Sequence, residues 1–455
     1  MLSAWLFTGA LLALGQAVQV SSGTLEARAV EWLTVALLAC AVGVLAPKLP
    51  QLPKLARLYA YREAGLVWLA GVGFAYQLVQ LSSSPIGWVP RPDSLPTWQA
   101  GLVVAGVVGG SGLAARPWLG RLTPLALVAT FFFLGAWVID TAPDPFIDVQ
   151  VFQRDAVKAL FSGHNPWAIR YPNIYGQDSG FYGEGVSVNG TLQFGYLYPP
   201  LSLVLAALGQ ALGGDHRYAQ LVCAALAGLL IACIRPGRVG NAMAALFLFT
   251  PRGFLIVEQG WTEPYVVFGL ALTVLVALRF PRALPYVLGA VLTVKQYLVL
   301  ALPLTWLLLA QVAGARERRA WLGKVVAVGA LLTLPFALWD LSEFWRGVVA
   351  LQVRQPFRAD SLSYLAWWVK NGAQTTSPAY AFGASALALG LSLWRLPRTP
   401  HGFAGGASLT FLTFFAFNKQ AFCNYYYFPL GALAVAAASA LTDAVGEGGR
   451  TKART

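Results

Sequence analysis

Apolar runs of near-spanning length recur along almost the whole chain, separated by short polar or basic intervals. About 20 apolar residues in a helix cross the hydrocarbon core of a bilayer, and every backbone polar group inside it must be satisfied internally. The pattern therefore predicts an all-α polytopic membrane protein with about 12–14 transmembrane segments. Spans are expected near residues 3–20, 28–46, 63–82, 96–115, 120–140, 217–234, 239–256, 264–280, 283–294, 298–313, 320–339, 376–395, 401–417 and 421–442. The first lacks a basic leader and a clear cleavage site, so it reads as a retained helix rather than a signal peptide. The pattern changes at residues 140–198, which are polar and rich in aromatics. From Asp148 an apolar stripe (Val149, Phe152, Ala156, Leu160) runs beside a polar one (Gln150, Arg154, Lys158), which predicts a helix lying in the interface and ending at Ser162-Gly163.

Composition agrees: 57% of residues are hydrophobic and 11% charged, against about a quarter charged in soluble domains. The formal charge of +13 matters through its placement. Basic residues cluster at 48–62, 116–121, 235–238, 279–282, 316–324, 395–398 and 450–454. Assigning these clusters to the cytoplasm gives one consistent topology, with both termini cytoplasmic. Short clusters at helix ends fit membrane orientation better than a nucleic-acid surface, so no nucleic-acid partner is expected. Counting the apolar stretch 198–214 as a span would put Arg235 and Arg238 outside, so it is read as a helix at the outer interface. The outer face then collects residues 141–216, 252–264, 295–296, 340–375 and 418–420. Residues 1–118 form an accessory set of transmembrane helices, 119–442 a core, and 443–455 a cytoplasmic tail. The four cysteines show no metal-type spacing and read as packing residues.

The outer segments carry the candidate chemistry. The insert holds Asp140, Asp144, Asp148, Asp155, Asp178 and Glu184, six of nineteen acidic residues. Asp140 and Asp144 read as turn residues beside prolines. Asp148 reads either as an N-cap or as a general base at a water-accessible mouth. The aromatics, Trp167 and Tyr175 among them, suit sugar stacking and membrane anchoring equally. Asn189-Gly190-Thr191 matches a glycosylation acceptor pattern, which chance often produces. Glu258-Gln259-Gly260-Trp261-Thr262-Glu263 places two carboxylates at the membrane's outer edge, where Thr262 or Glu263 as an N-cap is the structural alternative. Lys295, with Gln296, interrupts an otherwise apolar run, where a cation is costly without a partner; snorkelling to the interface is the structural alternative. The basic outer stretch from Arg346 to Arg358 departs from the positive-inside trend and suits anions. Asn418, Lys419, Gln420 and Asn424 gather near the last span.

Together these residues resemble the membrane-embedded glycosyltransferases of the C-type fold (GT-C), which use polyprenyl-phosphate sugars, and bacterial polyprenyl-phosphate-mannose-dependent mannosyltransferases above all. The resemblance rests on Asp148, Phe152 and Ala156 followed by Gly163, Asn165 and Pro166, on Tyr198-Pro199-Pro200-Leu201, on the 258–263 hairpin, and on the lysine at 295. It spans residues 120–430 in arrangement, through short degenerate motifs. It implies Asp148 as the base that activates an acceptor hydroxyl, and Lys295, with Arg354 and Arg358, as ligands of the donor phosphate. Asp155, His164, Asn165, Trp167, Tyr198, Glu258, Gln259, Glu263, Gln296, Asn418, Lys419, Gln420 and Asn424 are the expected substrate-binding set. Many members carry a second acid beside the loop aspartate. Here Val149 stands there, with Glu184, Asp178 or Glu258 as distant substitutes, so a divalent cation (Mg or Mn) is left open as a cofactor. The implied partners are a polyprenyl-phosphate-linked sugar donor, a glycan or glycolipid acceptor and the lipid bilayer. The implied place is the cell membrane, with the active site on its non-cytoplasmic face. A transporter or lipid flippase for a glycolipid intermediate is the alternative; it would show inverted repeats and paired discontinuous helices with polar residues near the midplane, whereas the polar residues here sit at one face.

Overall fold

A computed structural model describes residues 2–48, 62–83, 95–113, 117–309, 312 and 314–440. The tail 443–455, the basic cluster 450–454 and most of the cluster 48–62 lie outside the described residues. Nineteen α-helices make up most of the described residues. The first five are α1 (Leu2–Ser21), α2 (Ala27–Leu45), α3 (Arg62–Ser83), α4 (Leu95–Leu113) and α5 (Pro117–Thr141). The insert contributes α6 (Asp148–Phe161) and α7 (Pro200–Gly213). The chain continues with α8 (Arg217–Ile234), α9 (Arg238–Leu248), α10 (Gly253–Glu258), α11 (Glu263–Arg279), α12 (Leu284–Val291) and α13 (Ala315–Ala337). Three short helices follow, α14 (Leu341–Trp345), α15 (Leu351–Arg354) and α16 (Tyr364–Lys370), and then α17 (Ala379–Arg395), α18 (Pro400–Ala416) and α19 (Cys423–Ser439).

Six helices, α1, α2, α5, α8, α13 and nearly all of α3, are long and apolar enough to cross a membrane. Helices α11, α17, α18 and α19 have 17 residues each, about 26 Å at 1.5 Å per residue. Three expected spans are not continuous α-helices, although the turn expected at 295–296 is present. The stretch 239–256 stops after α9, because Pro251 interrupts the ladder and Arg252 takes a left-handed φ of 63°. The stretch 283–313 holds only eight α-helical residues before an extended Lys295, and then 3₁₀ turns over 296–301 and 303–307. Large apolar side chains face outward on α2, α3, α4, α5 and α13, Trp68, Val107, Phe133 and Leu331 among them. A water-soluble surface of this size would aggregate, whereas lipid solvates it. At the other extreme, α18 is buried along its whole length and α19 nearly so, with α1, α9 and α11 packed around α19.

The two ends of the bundle differ. At one end Arg235 pairs with Glu63 at 3.0 Å and Arg238 donates to the Leu113 carbonyl at 2.8 Å. At the other end, segments expected outside meet one another: Gln296 donates to the carbonyls of Leu197 and Val348, and Arg358 N–H to that of Lys419. Helix α7 has 14 residues, too short to span, and lies against α6 and α8.

A second hydrophobic core sits at this end, built from Phe152, Trp167, Tyr171, Phe194, Tyr196, Leu203 and Val348. It includes a feature the apolar pattern does not predict, a sheet of three two-residue strands: β1 (Tyr171–Pro172), β2 (Ser187–Val188) and β3 (Thr191–Leu192), in the order β1-β3-β2. Both pairings are antiparallel, with Leu192 opposite Tyr171 and Ser187. Asn189 and Gly190, at φ 49° and 74°, form the tight turn between β2 and β3. Asn-Gly is the preferred pair for such a turn, which accounts for the motif without a glycan.

Candidate active site

Asp148 is the first residue of α6, where an acid complements the helix dipole, as Lys158 does in the last turn. The N-cap position belongs to Ile147, so the capping alternative is not realised. Instead, Asp148 Oδ1 accepts from Val149 N–H at 2.8 Å and Oδ2 accepts from the Tyr182 hydroxyl at 2.7 Å. The Asp148 N–H donates to the Tyr175 hydroxyl at 3.1 Å. Burial pushes the Asp148 carboxyl above its ordinary value, while the bonds from Tyr182 and Val149, Tyr175 and the charge of Arg358 pull it back. Burial and the neighbouring carboxylate drive the Tyr182 phenol far up, so it stays a donor. A carboxylate so placed retains lone pairs for an incoming hydroxyl.

Arg358 faces this group across an aromatic stack. Tyr175 lies on Phe181 with ring centroids 4.4 Å apart, and the Arg358 guanidinium stands 4.1 Å from Phe181 and 4.9 Å from Phe422. Both oxygens of Asp360 accept from Arg358, at 2.8 and 2.7 Å. The loop around it is held by the residues expected to bind substrate. Lys419 Nζ donates to the Gln355 carbonyl at 2.6 Å, Gln420 to that of Pro356 at 2.8 Å, and Arg358 N–H to that of Lys419 at 2.9 Å. Lys419 and Gln420 are therefore braces of the Arg358 loop. Arg354 is exposed beside it, whereas Arg346 is committed to Glu343 at 2.7 Å.

Deeper in the bundle, Lys295 pairs with Glu263 at the start of α11, both buried. The lysine does not snorkel. Its ammonium also lies 5.0 Å from the Tyr198 ring and 5.6 Å from that of Tyr297. Thr262 holds the N-cap position of α11 without a side-chain bond. Tyr198 and Tyr425 lie in the fields of both the Asp148 and Glu263 carboxylates and so connect the two charged groups. Gln296 donates to the carbonyls of Leu197 and Val348 at 3.0 and 3.4 Å, tying the outer module to this turn.

Other expected site residues serve the fold. Trp167 is fully buried against Tyr196, Phe336 and Phe344, so it cannot stack on a sugar. Asn165 closes an Asx turn onto Trp167 N–H at 2.9 Å, and His164 is exposed on the turn after α6. Asp155 pairs with Arg154 at 3.1 Å, about two turns along α6 from Asp148 on a similar face. Asn418 bonds the Lys419 N–H at 2.8 Å, and Asn424 is buried at the start of α19. Gln259 donates weakly to Glu258, whose carboxyl burial pushes up to about 7.

Arg217, an unexpected participant, is fully buried. It pairs with Asp215 at 2.6 Å and donates to the carbonyls of Ala142 at 2.6 Å, Glu258 at 3.1 Å, Pro143 at 3.3 Å and Ile139 at 3.4 Å. Its signal in the sequence is a cation beside an acid on the side the basic residues otherwise avoid. Tyr182 and Tyr175 are legible only as two more aromatics of the insert. Among the described residues no group of three or more His, Cys, Asp or Glu converges. Comparison with protein-family models, curated proteins and solved structures finds no match.

Proposed function

We propose that this chain is a membrane glycosyltransferase that moves a sugar (mannose or another hexose or pentose) from a polyprenyl-phosphate donor to a lipid- or glycan-linked acceptor. The reading places the reaction on the non-cytoplasmic face of the cell membrane, with both termini in the cytoplasm. The observation that carries it is a half-buried carboxylate, Asp148, poised by two tyrosines and faced by an arginine across an aromatic wall. In this reading the acceptor hydroxyl gives its proton to Asp148 and its oxygen bonds the anomeric carbon. The bond from that carbon to the phosphate oxygen breaks, and its electron pair leaves on the lipid phosphate. Direct displacement inverts the anomeric centre. Charge develops on the leaving phosphate, so a fixed cation there contributes most. Exposed Arg354, and Arg358 with its solvent-facing partner Asp360, suit that role better than Lys295, which is buried together with its counter-ion Glu263. Buried Tyr198 and half-buried Tyr425 lie between the two charged groups. The purified protein in bilayer discs, given polyprenyl-phosphate mannose and a glycan acceptor, is expected to transfer the sugar with inversion. Absence of transfer from every polyprenyl-phosphate donor would overturn the reading.

One observation favours a second reading. The break between α9 and α10 and the interruption at Lys295 put Glu258, Glu263 and Lys295 beside broken helices, as a transporter or glycolipid flippase would. Movement of a labelled glycolipid across proteoliposomes, without sugar transfer, would select it.

A further inference from the structure

We propose that the turn between α1 and α2 is a positioning element of the candidate site: Gly23 fixes Phe422 and Asp360, and through them the Arg358 guanidinium opposite Asp148. Gly23 adopts φ +80°, and a Cβ there would lie 2.1 Å from the Cys423 nitrogen and 2.7 Å from the Phe422 carbonyl carbon. No flexible side chain can yield at that contact, because both atoms are backbone. Phe422 is one of the two rings that hold the Arg358 guanidinium. The same turn is stitched to the arginine's other partner. Leu25 N–H bonds the Asp360 carbonyl at 2.8 Å, Leu362 N–H bonds the Gly23 carbonyl at 3.1 Å, and Thr24 pairs with Ser361 as an isolated bridge. Asp360 is the carboxylate that grips Arg358. The first two helices therefore reach the site at two of the three contacts that orient its cation, Phe181 being the third, which gives them a role beyond covering the core. Any side chain at position 23 must push Phe422 away or strain the turn, and either movement releases the arginine.

The catalytic part of this inference rests on the transferase reading; the positional part does not, and the test separates them. Amide hydrogen exchange is compared in wild type and Gly23→Ala. Exchange at residues 358–362 is expected to quicken at least tenfold while α8 and α11 keep their protection. In the transfer assay, Gly23→Ala is expected to raise the donor KM at least tenfold, and Gly23→Ala with Arg358→Ala together to lose no more than Arg358→Ala alone. Unchanged exchange at 358–362, or additive losses in the double variant, would overturn the proposal. If wild type transfers no sugar, the exchange result still decides whether the turn positions the loop. Should Gly23→Ala fail to fold, the Thr24→Cys/Ser361→Cys pair joins turn to loop by a disulfide. Slower exchange at 358–362 than in the reduced form supports the proposal, and equal exchange overturns it.

Discussion

Two acid–base pairs face each other through the site, and their surroundings make them opposites. The Asp148–Arg358 pair is held apart by an aromatic stack and half-buried, and the partner of its arginine, Asp360, faces solvent. The Glu263–Lys295 pair is in direct contact and buried on both sides. A charge at a water-facing surface can meet a ligand; a charge matched and buried inside the protein holds helices together. The lone lysine in an apolar run is the louder signal in the sequence, yet the arginine in an ordinary loop is better placed for chemistry.

Four single variants and one double test this contrast, from the largest expected effect to the smallest. Asp148→Asn is expected to cut sugar transfer about 10²–10⁴-fold, the range for loss of a general base, with accumulation in the membrane unchanged; a radiolabelled transfer assay reads it. Glu263→Gln leaves a buried ammonium unpaired and is expected to destabilise the protein by about 3–5 kcal/mol. Glu263→Gln with Lys295→Met should recover much of that, and thermal unfolding in detergent compares the two. If Glu263→Gln lowers transfer but not stability, the deep pair belongs to the reaction and the contrast fails.

The pH dependence sharpens the comparison. With Asp148 raised by burial, transfer should grow with pH through a midpoint above the ordinary carboxyl value of about 4. Tyr182→Phe removes a bond that favours the carboxylate, so the rising limb should move to higher pH. A limb that stays in place would show that Tyr182 does not tune Asp148. The smallest effect concerns Glu258. Its folded value near 7 exceeds the unfolded value of about 4.3, so the folded state binds more protons between them. Stability should therefore fall as pH rises from about 4.3 to 7, and Glu258→Gln should flatten that slope in a thermal-shift series.

Much of the helical plan was legible because lipid imposes one rule on every span: an apolar run near 20 residues. The amphipathic stripe that starts at Asp148 was equally open to reading, and α6 begins at that residue. Breaks were harder: Pro251 marks the one after α9, but the left-handed Arg252 that starts α10 leaves no trace in an apolar pattern. Trp167 was misassigned because a tryptophan in a polar loop looks available, whereas three distant aromatics bury it. The partners of Arg358 come from residues 181, 360 and 422. Such separations carry no local period, and only tertiary packing joins them.

Arg217 also bears on how the chain is assembled. The last carbonyls of α5 have no helical partner of their own and take donors from Arg217 at the head of α8. About seventy residues of insert separate donor from acceptor in synthesis. Arg217 thus closes the insert at its base: one side chain satisfies the end of α5 and seats the start of α8, so both ends of the insert are held by the same guanidinium.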